Sequence, residues 1–309
     1  MVFDTVIIGA SAAGISSAIY LLRRGITPLI LGYDLGGEMA LSGEVGNYPG
    51  LGMTDGYALT KKFLAHLKQY GAEPVLSVRV TGLEKSGNNF LIKGWQGTQD
   101  NLVSYHAKSV IIASGSHPRE LGVPGEKELR GKGVSYCTVC DGPLFKDKNT
   151  VTIGGGDSAS ESGIMLNEIA AHHYVLTKNS EMKGDTSLIN KLRSLPKVSS
   201  ITNALTIRIL GNEFVTGLEY QDAATKELKQ IEVQGVFIHI GMIANADFVM
   251  PELEKNRAGE IVVDKYCKTN LPGIFAAGDV TDVQYKQIGV AVGQGICAAL
   301  SCVDYLNKS

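Results

Sequence analysis

The chain has 309 residues, with 29 basic and 31 acidic side chains and a net charge of −2. This length is comfortable for two domains, and the 44% apolar content indicates a packed globular protein. The balanced charge argues against nucleic acid or an anionic membrane surface as the partner. No basic segment precedes an apolar run near the start, so we expect a cytoplasmic protein and not a secreted one.

The first elements form a pattern typical of nucleotide-binding folds. Residues 5–8 predict a strand, residues 14–22 an apolar helix after a loop of small residues, and residues 27–31 a second buried strand. This β–loop–α–β order is the usual start of a doubly wound fold. The next predicted elements are a helix over 57–70 and strands over 90–93, 102–106 and 110–113.

The same pattern then starts again. A strand over 150–153, a glycine-rich loop, a helix over 160–171 and a strand over 174–176 follow one another. The chain closes with a strand over 273–276 and a long apolar helix over 288–306, whose glycines and glutamines argue against a membrane span. Two such openings predict an α/β protein with two Rossmann-like, doubly wound, three-layer nucleotide-binding domains.

Each opening carries a glycine-rich loop. The first matches G-x-G-x-x-G from Gly9 to Gly14 except that Ser11 replaces the middle glycine, and an ordinary turn is the alternative for this match alone. The second fits G-x-G-x-x-A from Gly154 to Ala159. In such loops the open helix N-terminus binds phosphate. Two loops together predict two dinucleotides, a flavin and a nicotinamide.

Cys137 and Cys140 form a C-x-x-C pair, a spacing that brings two sulfurs within bonding reach. A helix N-terminus can lower the pKa of such a thiol, so the pair predicts a redox site. Half of a zinc site is the alternative, but zinc needs a second ligand pair. Cys297 and Cys302 are five residues apart in a predicted helix and point to different faces, so we predict no metal site. Those two and Cys267 are interpreted as apolar core residues.

Several segments resemble low-molecular-weight thioredoxin reductases. Residues 133–142 resemble their redox segment, 272–280 their second flavin motif, 36–38 and 44–50 their flavin-contacting loop, and 113–115 their A-T-G turn. The motifs occur in the family's order from one end of the chain to the other. The resemblance implies a discontinuous FAD-binding domain over 1–115 and 245–309, an inserted NAD(P)-type domain over 116–244, and a homodimer.

The resemblance also implies which residues act. FAD would open the Cys137–Cys140 disulfide, with Cys140 facing the flavin ring and Cys137 attacking the disulfide of thioredoxin or a thioredoxin-like protein. Asp141 would be the acid–base group for the thiol protons. The residues implied to contact FAD are Gly9, Ser11, Ala12, Ala13, Gly14, Gly37, Glu38, Asn47, Ala113, Gly115, Gly278, Asp279, Lys286, Gln287 and Ile288.

The chain departs from the family where NADPH-dependent members carry an H-R-R-x-x-x-R pattern. It has Thr177, Lys178 and Asn179 there, followed by Lys183. Lysines supply charge but not the bidentate geometry of arginine, and no acidic residue ends the strand to bind a free 2′-hydroxyl. NADPH is weakly favoured over NADH or ferredoxin as the donor. The residues predicted to bind NADPH are Gly154, Gly156, Asp157, Ser158, Ala159, Lys178 and Lys183.

Other functions stay open. A flavin dithiol oxidase and a redox-sensing flavoprotein are compatible with the sequence. Ferredoxin–NADP reductase relatives lack the cysteine pair, which disfavours them. An alkyl hydroperoxide reductase flavoprotein needs an additional N-terminal redox domain, and the present sequence begins with the flavin strand, which also disfavours that class.

Overall fold

A computed structural model of the protein describes residues 1–42 and 44–308. The chain forms two compact units: unit 1 comprises Met1–His117 and Ile243–Ser309, and unit 2 comprises Pro118–Met242. Unit 2 is therefore an insertion within unit 1. The main sheet of unit 1 is mixed and that of unit 2 is parallel, and each contains a strand that is followed by a glycine-rich loop and a helix. The predicted α/β class is confirmed.

The elements take consecutive numbers along the chain. The first half contains β1 (Val2–Ile8), α1 (Ala12–Leu22), β2 (Leu29–Leu31), α2 (Gly37–Leu41), β3 (Glu44–Val45), β4 (Thr54–Asp55), α3 (Gly56–Gln69), β5 (Val78–Ser86), β6 (Asn89–Gln96), β7 (Leu102–Ile112), β8 (Ser116–Pro118), β9 (Val134–Ser135), α4 (Thr138–Asp141) and a 3-10 helix (Gly142–Phe145). The second half contains β10 (Asn149–Ile153), α5 (Asp157–Ile169), β11 (His172–Leu176), α6 (Thr186–Arg193), β12 (Val198–Ile201), β13 (Ala204–Gly211), β14 (Val215–Asp222), β15 (Leu228–Ile231), β16 (Gly235–Ile238), β17 (Met242–Ala244), β18 (Ile274–Ala276) and α7 (Ile288–Leu306).

The main sheet of unit 1 has the order β2-β1-β7-β6-β5, and β18 also pairs with β7. β7 is one strand of 11 residues, so the prediction of two separate strands over 102–106 and 110–113 was wrong. Its first half pairs antiparallel with β6, whereas its second half lies parallel to β18. Exposed and partly buried residues alternate in the first half, and continuous burial follows at the end of the strand. This change of pattern made one strand look like two.

Helix α7 packs against α1 in the core of unit 1. The two backbones approach so closely that a Cβ on Gly295 would lie 2.3 Å from the carbonyl oxygen of Ala13. The Ser17 hydroxyl donates a hydrogen bond of 2.8 Å to the Gly295 carbonyl. By length and composition alone α7 could cross a membrane. Its buried residues, which include Ala298, Ala299 and Cys302, belong to the hydrophobic core of unit 1.

The main sheet of unit 2 has the order β12-β11-β10-β16-β9, and all of its strand pairs are parallel. Strands β13, β14 and β15 form a separate antiparallel sheet. Helix α5 follows β10 directly after the second glycine-rich loop. The carboxyl ends of β10 and β11 therefore lie at the edge of the parallel sheet where doubly wound folds bind their ligands.

Candidate functional site

The first glycine-rich loop lies against the end of β7 in unit 1. A Cβ on Gly9, which has φ +122°, would lie 2.1 Å from the carbonyl oxygen of Ala113. A Cβ on Gly14 would lie 1.9 Å from the carbonyl oxygen of Gly9. Neither position has room for a side chain, so close packing of helix and strand requires both glycines. The structure thus brings Gly9, Gly14 and Ala113 together.

Helix α1 presents an N-terminus without a side-chain cap. Ser11 is the N-cap residue, but its hydroxyl donates 2.6 Å to the Gly36 carbonyl and caps no helix N–H. The first turn, which includes Ala12 and Ala13, contains no acidic residue. The free N–H groups and the helix dipole at this position fit a phosphate group. The Ser11 bond also places the 36–38 segment, with Gly37 and Glu38, beside the loop.

The second flavin motif supplies a carboxyl group. No hydrogen bond joins the Asp279 carboxyl to any residue within the described parts of the chain. Burial raises its pKa, Glu38 raises it further, and Lys286 opposes the shift. A partly buried acceptor of this kind fits the hydroxyl groups of a polyol chain. Neighbouring Gly278 lies beside the first loop, since a Cβ on it would be 3.1 Å from the Ala13 Cβ.

The remaining predicted flavin residues form two further groups. Asn47 donates a hydrogen bond of 3.1 Å to the Gln287 side chain, which precedes Ile288 at the start of α7. The Lys286 ammonium group lies 2.9 Å from Glu260 and donates to the Thr281 carbonyl.

The sequence predicted Gly115 as a site residue but not the residue that is hydrogen-bonded to it. The Gly115 carbonyl accepts a hydrogen bond of 3.0 Å from the Asn245 N–H. The Asn245 side chain donates 2.8 Å to the Ser114 carbonyl. Sequence reasoning missed Asn245, and also Gln294, whose side chain accepts 2.8 Å from the Gly278 N–H. A polar side chain within an otherwise apolar helix was the available signal for Gln294.

The uncapped helix, the close-packed glycines and the Asp279 carboxyl all lie in unit 1. A dinucleotide with a polyol chain, such as FAD, matches this donor and acceptor set. The residues of unit 1 therefore fit the cofactor that the sequence implied.

In unit 2, Cys137 and Cys140 form a disulfide with their Cα atoms 5.3 Å apart. Cys137 is the N-cap residue of α4, and its sulfur accepts a hydrogen bond of 3.2 Å from the Cys140 N–H. Both cysteines are partly exposed, as is Asp141, which ends α4. The pair is therefore within reach of a reactant and held at a helix N-terminus.

Two of the other three cysteines lie in a different environment, whereas Cys297, which was also predicted to be a core residue, is only partly buried. Cys267 and Cys302 are buried, and burial raises the pKa of the Cys267 thiol to about 12. The Cys302 sulfur lies 3.1 Å from the Ser109 hydroxyl. These thiols stay protonated near neutral pH and are poor nucleophiles. No cluster of metal-ligating side chains occurs in residues 1–42 or 44–308.

The second glycine-rich loop is also close-packed. A Cβ on Gly154 would lie 2.3 Å from the carbonyl oxygen of His239 at the end of β16. Gly156 is the N-cap of α5 and has no side chain to cap it. Unlike α1, helix α5 contains an acidic residue, Asp157, in its first turn. A negative charge at a helix N-terminus opposes a phosphate at the same place. Ser158 is exposed beside it, and Ala159 is buried.

The segment after β11 lies on this loop. The Lys183 N–H donates 2.6 Å to the Gly155 carbonyl, and the Asp157 carboxylate accepts 2.7 Å from the Asp185 N–H. A Cβ on Gly155 would lie 2.5 Å from the Thr177 hydroxyl oxygen. The structure thus places Lys183 beside the glycine loop through its backbone. The side chains of both Lys178 and Lys183 are exposed.

The proteins that this chain resembles in sequence are longer than the chain itself. It is 42% identical over 307 residues to an NADH dehydrogenase of Ferdinandcohnia aciditolerans, covering 99% of the chain and 58% of that protein. It is 41% identical over 313 residues to a component of the alkyl hydroperoxide reductase of Pseudomonas putida, covering 99% of the chain and 59% of that protein. The chain thus spans less than two thirds of the length of these curated relatives. They include the class that the start of the sequence disfavoured.

Solved structures match the chain over nearly its full length. The thioredoxin reductase of Streptococcus pyogenes superimposes with a TM-score of 0.91 at 33% identity, covering 100% of this chain and 99% of that one. A ferredoxin-flavin thioredoxin reductase of Clostridium acetobutylicum has a TM-score of 0.54 at 32% identity, covering 100% and 98%. These neighbours are flavoprotein oxidoreductases. That class agrees with the cysteine pair and the unit 1 site of this chain.

Residues 3–295 match the sequence model of the family described as "pyridine nucleotide-disulphide oxidoreductase". It covers both glycine-rich loops, the disulfide and the second flavin motif. With the thioredoxin reductase fold around them, these features make the chain a flavoprotein oxidoreductase that belongs to the pyridine nucleotide-disulphide oxidoreductase family.

Proposed function

We propose that the protein is an FAD-dependent reductase that passes two electrons from a reduced donor to the Cys137–Cys140 disulfide, and then to the disulfide of a thioredoxin-like protein. One observation carries this proposal: a partly exposed disulfide lies at a helix N-terminus, in a chain whose other unit fits FAD. FAD, when bound, supplies the two-electron carrier between donor and disulfide.

The chain's own residues account for the thiol chemistry. The Cys140 N–H that reaches the Cys137 sulfur would stabilise Cys137 as a thiolate, which supports Cys137 as the thiol that attacks the partner's disulfide. Cys140 then closes the disulfide again and releases the partner as a dithiol. Asp141, at the end of the same helix, would exchange the thiol protons.

FAD would be held by unit 1. Ser11, Ala12 and Ala13 would bind its pyrophosphate at the N-terminus of α1, and the Asp279 carboxylate would accept from its ribityl hydroxyls. Asn47 and Gln287, which are joined to each other, would contact the ring. The predicted homodimer and the predicted cytoplasmic location belong to the same proposal, since a reducing compartment keeps such a dithiol active.

For the donor, we propose a nicotinamide dinucleotide bound at the second glycine loop. NADPH is the first candidate because Lys178 and Lys183 carry positive charge near that loop. NADH is the second candidate because a 42% identical relative is named NADH dehydrogenase. Ferredoxin is the alternative to a nucleotide donor, since one structural neighbour is a ferredoxin-flavin thioredoxin reductase.

Anaerobic reduction of the purified yellow protein decides among these donors. NADPH, NADH, reduced ferredoxin and dithionite are each added, and the flavin absorbance near its visible maximum is followed with time. Prompt bleaching by one nucleotide, at micromolar concentration, identifies the donor and supports the proposal. Bleaching by dithionite alone, with none of the three biological donors active, would contradict it.

A further inference from the structure

A buried hydrogen-bond network begins inside the redox turn of unit 2. Thr138 lies between the two cysteines and is only 3% exposed. Its hydroxyl oxygen lies 2.7 Å from the Ser162 hydroxyl and 2.8 Å from Nε2 of His239. The Ser162 hydroxyl in turn lies 2.6 Å from that of Thr152. We call these four residues the Thr138 network.

The network joins the redox turn to the elements that frame the second glycine loop. Thr152 lies on β10, which enters the loop, and Ser162 lies on α5, which leaves it. His239 follows β16, and its N–H donates 2.8 Å to the Ile153 carbonyl. Its own carbonyl oxygen occupies the space that a side chain on Gly154 would need. The turn is therefore anchored to the rigid frame of the parallel sheet.

The chemistry of His239 suits a neutral anchor. Burial lowers the pKa of His239 to about 4, so its imidazole is uncharged near pH 7. A neutral imidazole donates from one nitrogen and accepts at the other. Each hydroxyl in the network can then donate once, with the chain of donors running either from Thr152 to His239 or in reverse. In both directions the Thr138 hydroxyl makes two hydrogen bonds.

These contacts matter most when the disulfide is open. The covalent link between Cys137 and Cys140 is then absent, and the thiols stay close only if the turn keeps its shape. A fixed turn raises the effective concentration of one thiol at the other, which favours the disulfide. The two hydrogen bonds of the Thr138 side chain, which lies between the cysteines, would hold the turn in this way.

We propose that His239 is a positioning residue that, through Thr138, holds the Cys137–Cys140 turn and makes its reduction potential more negative. The inference rests on the proposed redox role of the pair. It does not depend on which donor or acceptor the enzyme uses.

The test measures the potential of the pair in the full-length, FAD-loaded protein. Wild type and variants are equilibrated anaerobically in buffers of reduced and oxidised dithiothreitol at several ratios. The thiols are then alkylated, and mass spectrometry gives the oxidised fraction of the Cys137–Cys140 peptide. The exchange is balanced, because each disulfide that opens in the protein closes one in the buffer.

Thr138→Val removes the hydroxyl at nearly constant shape, and His239→Ala removes its partner. In each we expect the disulfide to be about tenfold less favoured, which is a potential about 30 mV more positive. Thr138→Ser and His239→Gln restore a hydrogen-bonding group and should lie close to wild type. If one variant does not accumulate as folded protein, the other, with its rescue variant, still decides the question.

Thr150→Val is the matched control. It breaks a buried hydrogen bond of 2.8 Å between Thr150 and His173 in the same unit, without touching the redox turn. Its potential should equal that of wild type. If Thr138→Val and His239→Ala gave the same potential as Thr150→Val, the positioning role would be wrong. A wild-type pair that never exchanges with the buffer would instead overturn the proposed function itself.

Discussion

At the scale of single residues, the thiol chemistry depends on which cysteines are exposed and lie at a helix N-terminus. Cys137 and Cys140 share a helix N-terminus and are accessible, whereas the buried Cys267 has a raised pKa. The same distinction separates a reactive thiol from a core residue in general. Two single substitutions test the proposed site, one in the cysteine pair and one in the second glycine loop.

Replacing Cys140 with serine should abolish reduction of a thioredoxin-like substrate, because no intramolecular disulfide can form. FAD should stay bound, since the proposed FAD residues lie in unit 1 and Cys140 in unit 2. Turnover is measured by a coupled disulfide-reduction assay, and bound FAD by its absorbance after gel filtration. Cys302→Ser serves as the control and should keep turnover. Full activity of Cys140→Ser would refute the thiol mechanism.

Replacing Asp157 with asparagine should tighten nucleotide binding. The change removes a negative charge from the first turn of α5 and keeps an oxygen for the Asp185 N–H. A charge near a helix end is worth about 0.3–1 kcal/mol, which corresponds to roughly a two- to fivefold lower Kd. Titration calorimetry with NADPH and NADH measures it. Glu161→Gln, an exposed change one turn further along α5, should have little effect. An unchanged Kd for Asp157→Asn would place the pyrophosphate elsewhere.

At the scale of elements, the contact between α1 and α7 is set by one glycine. Gly295 faces the Ala13 carbonyl, whereas Gly293 on the same helix has open space around it. These two positions on one helix separate the effect of packing from that of helix propensity.

Gly295→Ala should destabilise unit 1 by about 1–3 kcal/mol, because the added methyl group forces the two helices apart. Gly293→Ala should stabilise the helix by up to about 1 kcal/mol, because alanine costs less backbone entropy than glycine. Chemical denaturation followed by flavin fluorescence and circular dichroism gives both values. A Gly295→Ala protein as stable as wild type, or more stable, would show that the crossing of α1 and α7 is looser than the structure indicates.

At the scale of the whole molecule, buried histidines make stability depend on pH. Burial lowers the pKa of His173 to about 3, and the side chain is fully enclosed in unit 2. The unfolded chain binds a proton at this residue below its ordinary pKa of about 6.5, and the folded chain does not. Stability is therefore highest above pH 6.5 and falls as the pH decreases toward 3.

When the pH falls from 7 to 5, His173 alone should lower the free energy of unfolding of unit 2 by about 2 kcal/mol. His173→Asn keeps an acceptor or donor for Thr150 and has no proton to gain, so its pH dependence should be flatter by that amount. Urea unfolding at the two pH values measures the difference. His106→Gln, at an exposed position, should retain the wild-type dependence. A His173→Asn protein as pH-sensitive as wild type would show that other groups dominate.

Much of the fold could be predicted because its signals are local. The helix predicted over 288–306 has those bounds in the structure, since the polar residues Gln287 and Asn307 flank its apolar run. The two glycine loops were recognisable because strand, tight turn and helix follow one another directly. The antiparallel strands β13 to β15 were not predicted. Their partly exposed residues mix polar and apolar types and give no clear period.

The sequence by itself determined the α/β class, the two dinucleotide loops and the redox pair, because each depends on residues within about one turn or strand of one another. Only the tertiary structure decided that β7 is one strand with different partners along its length, that Asn47 meets Gln287, and that Thr138 meets His239. The last two contacts join residues 240 and 101 positions apart. No local pattern encodes them, because each forms only when segments far apart in the chain pack together.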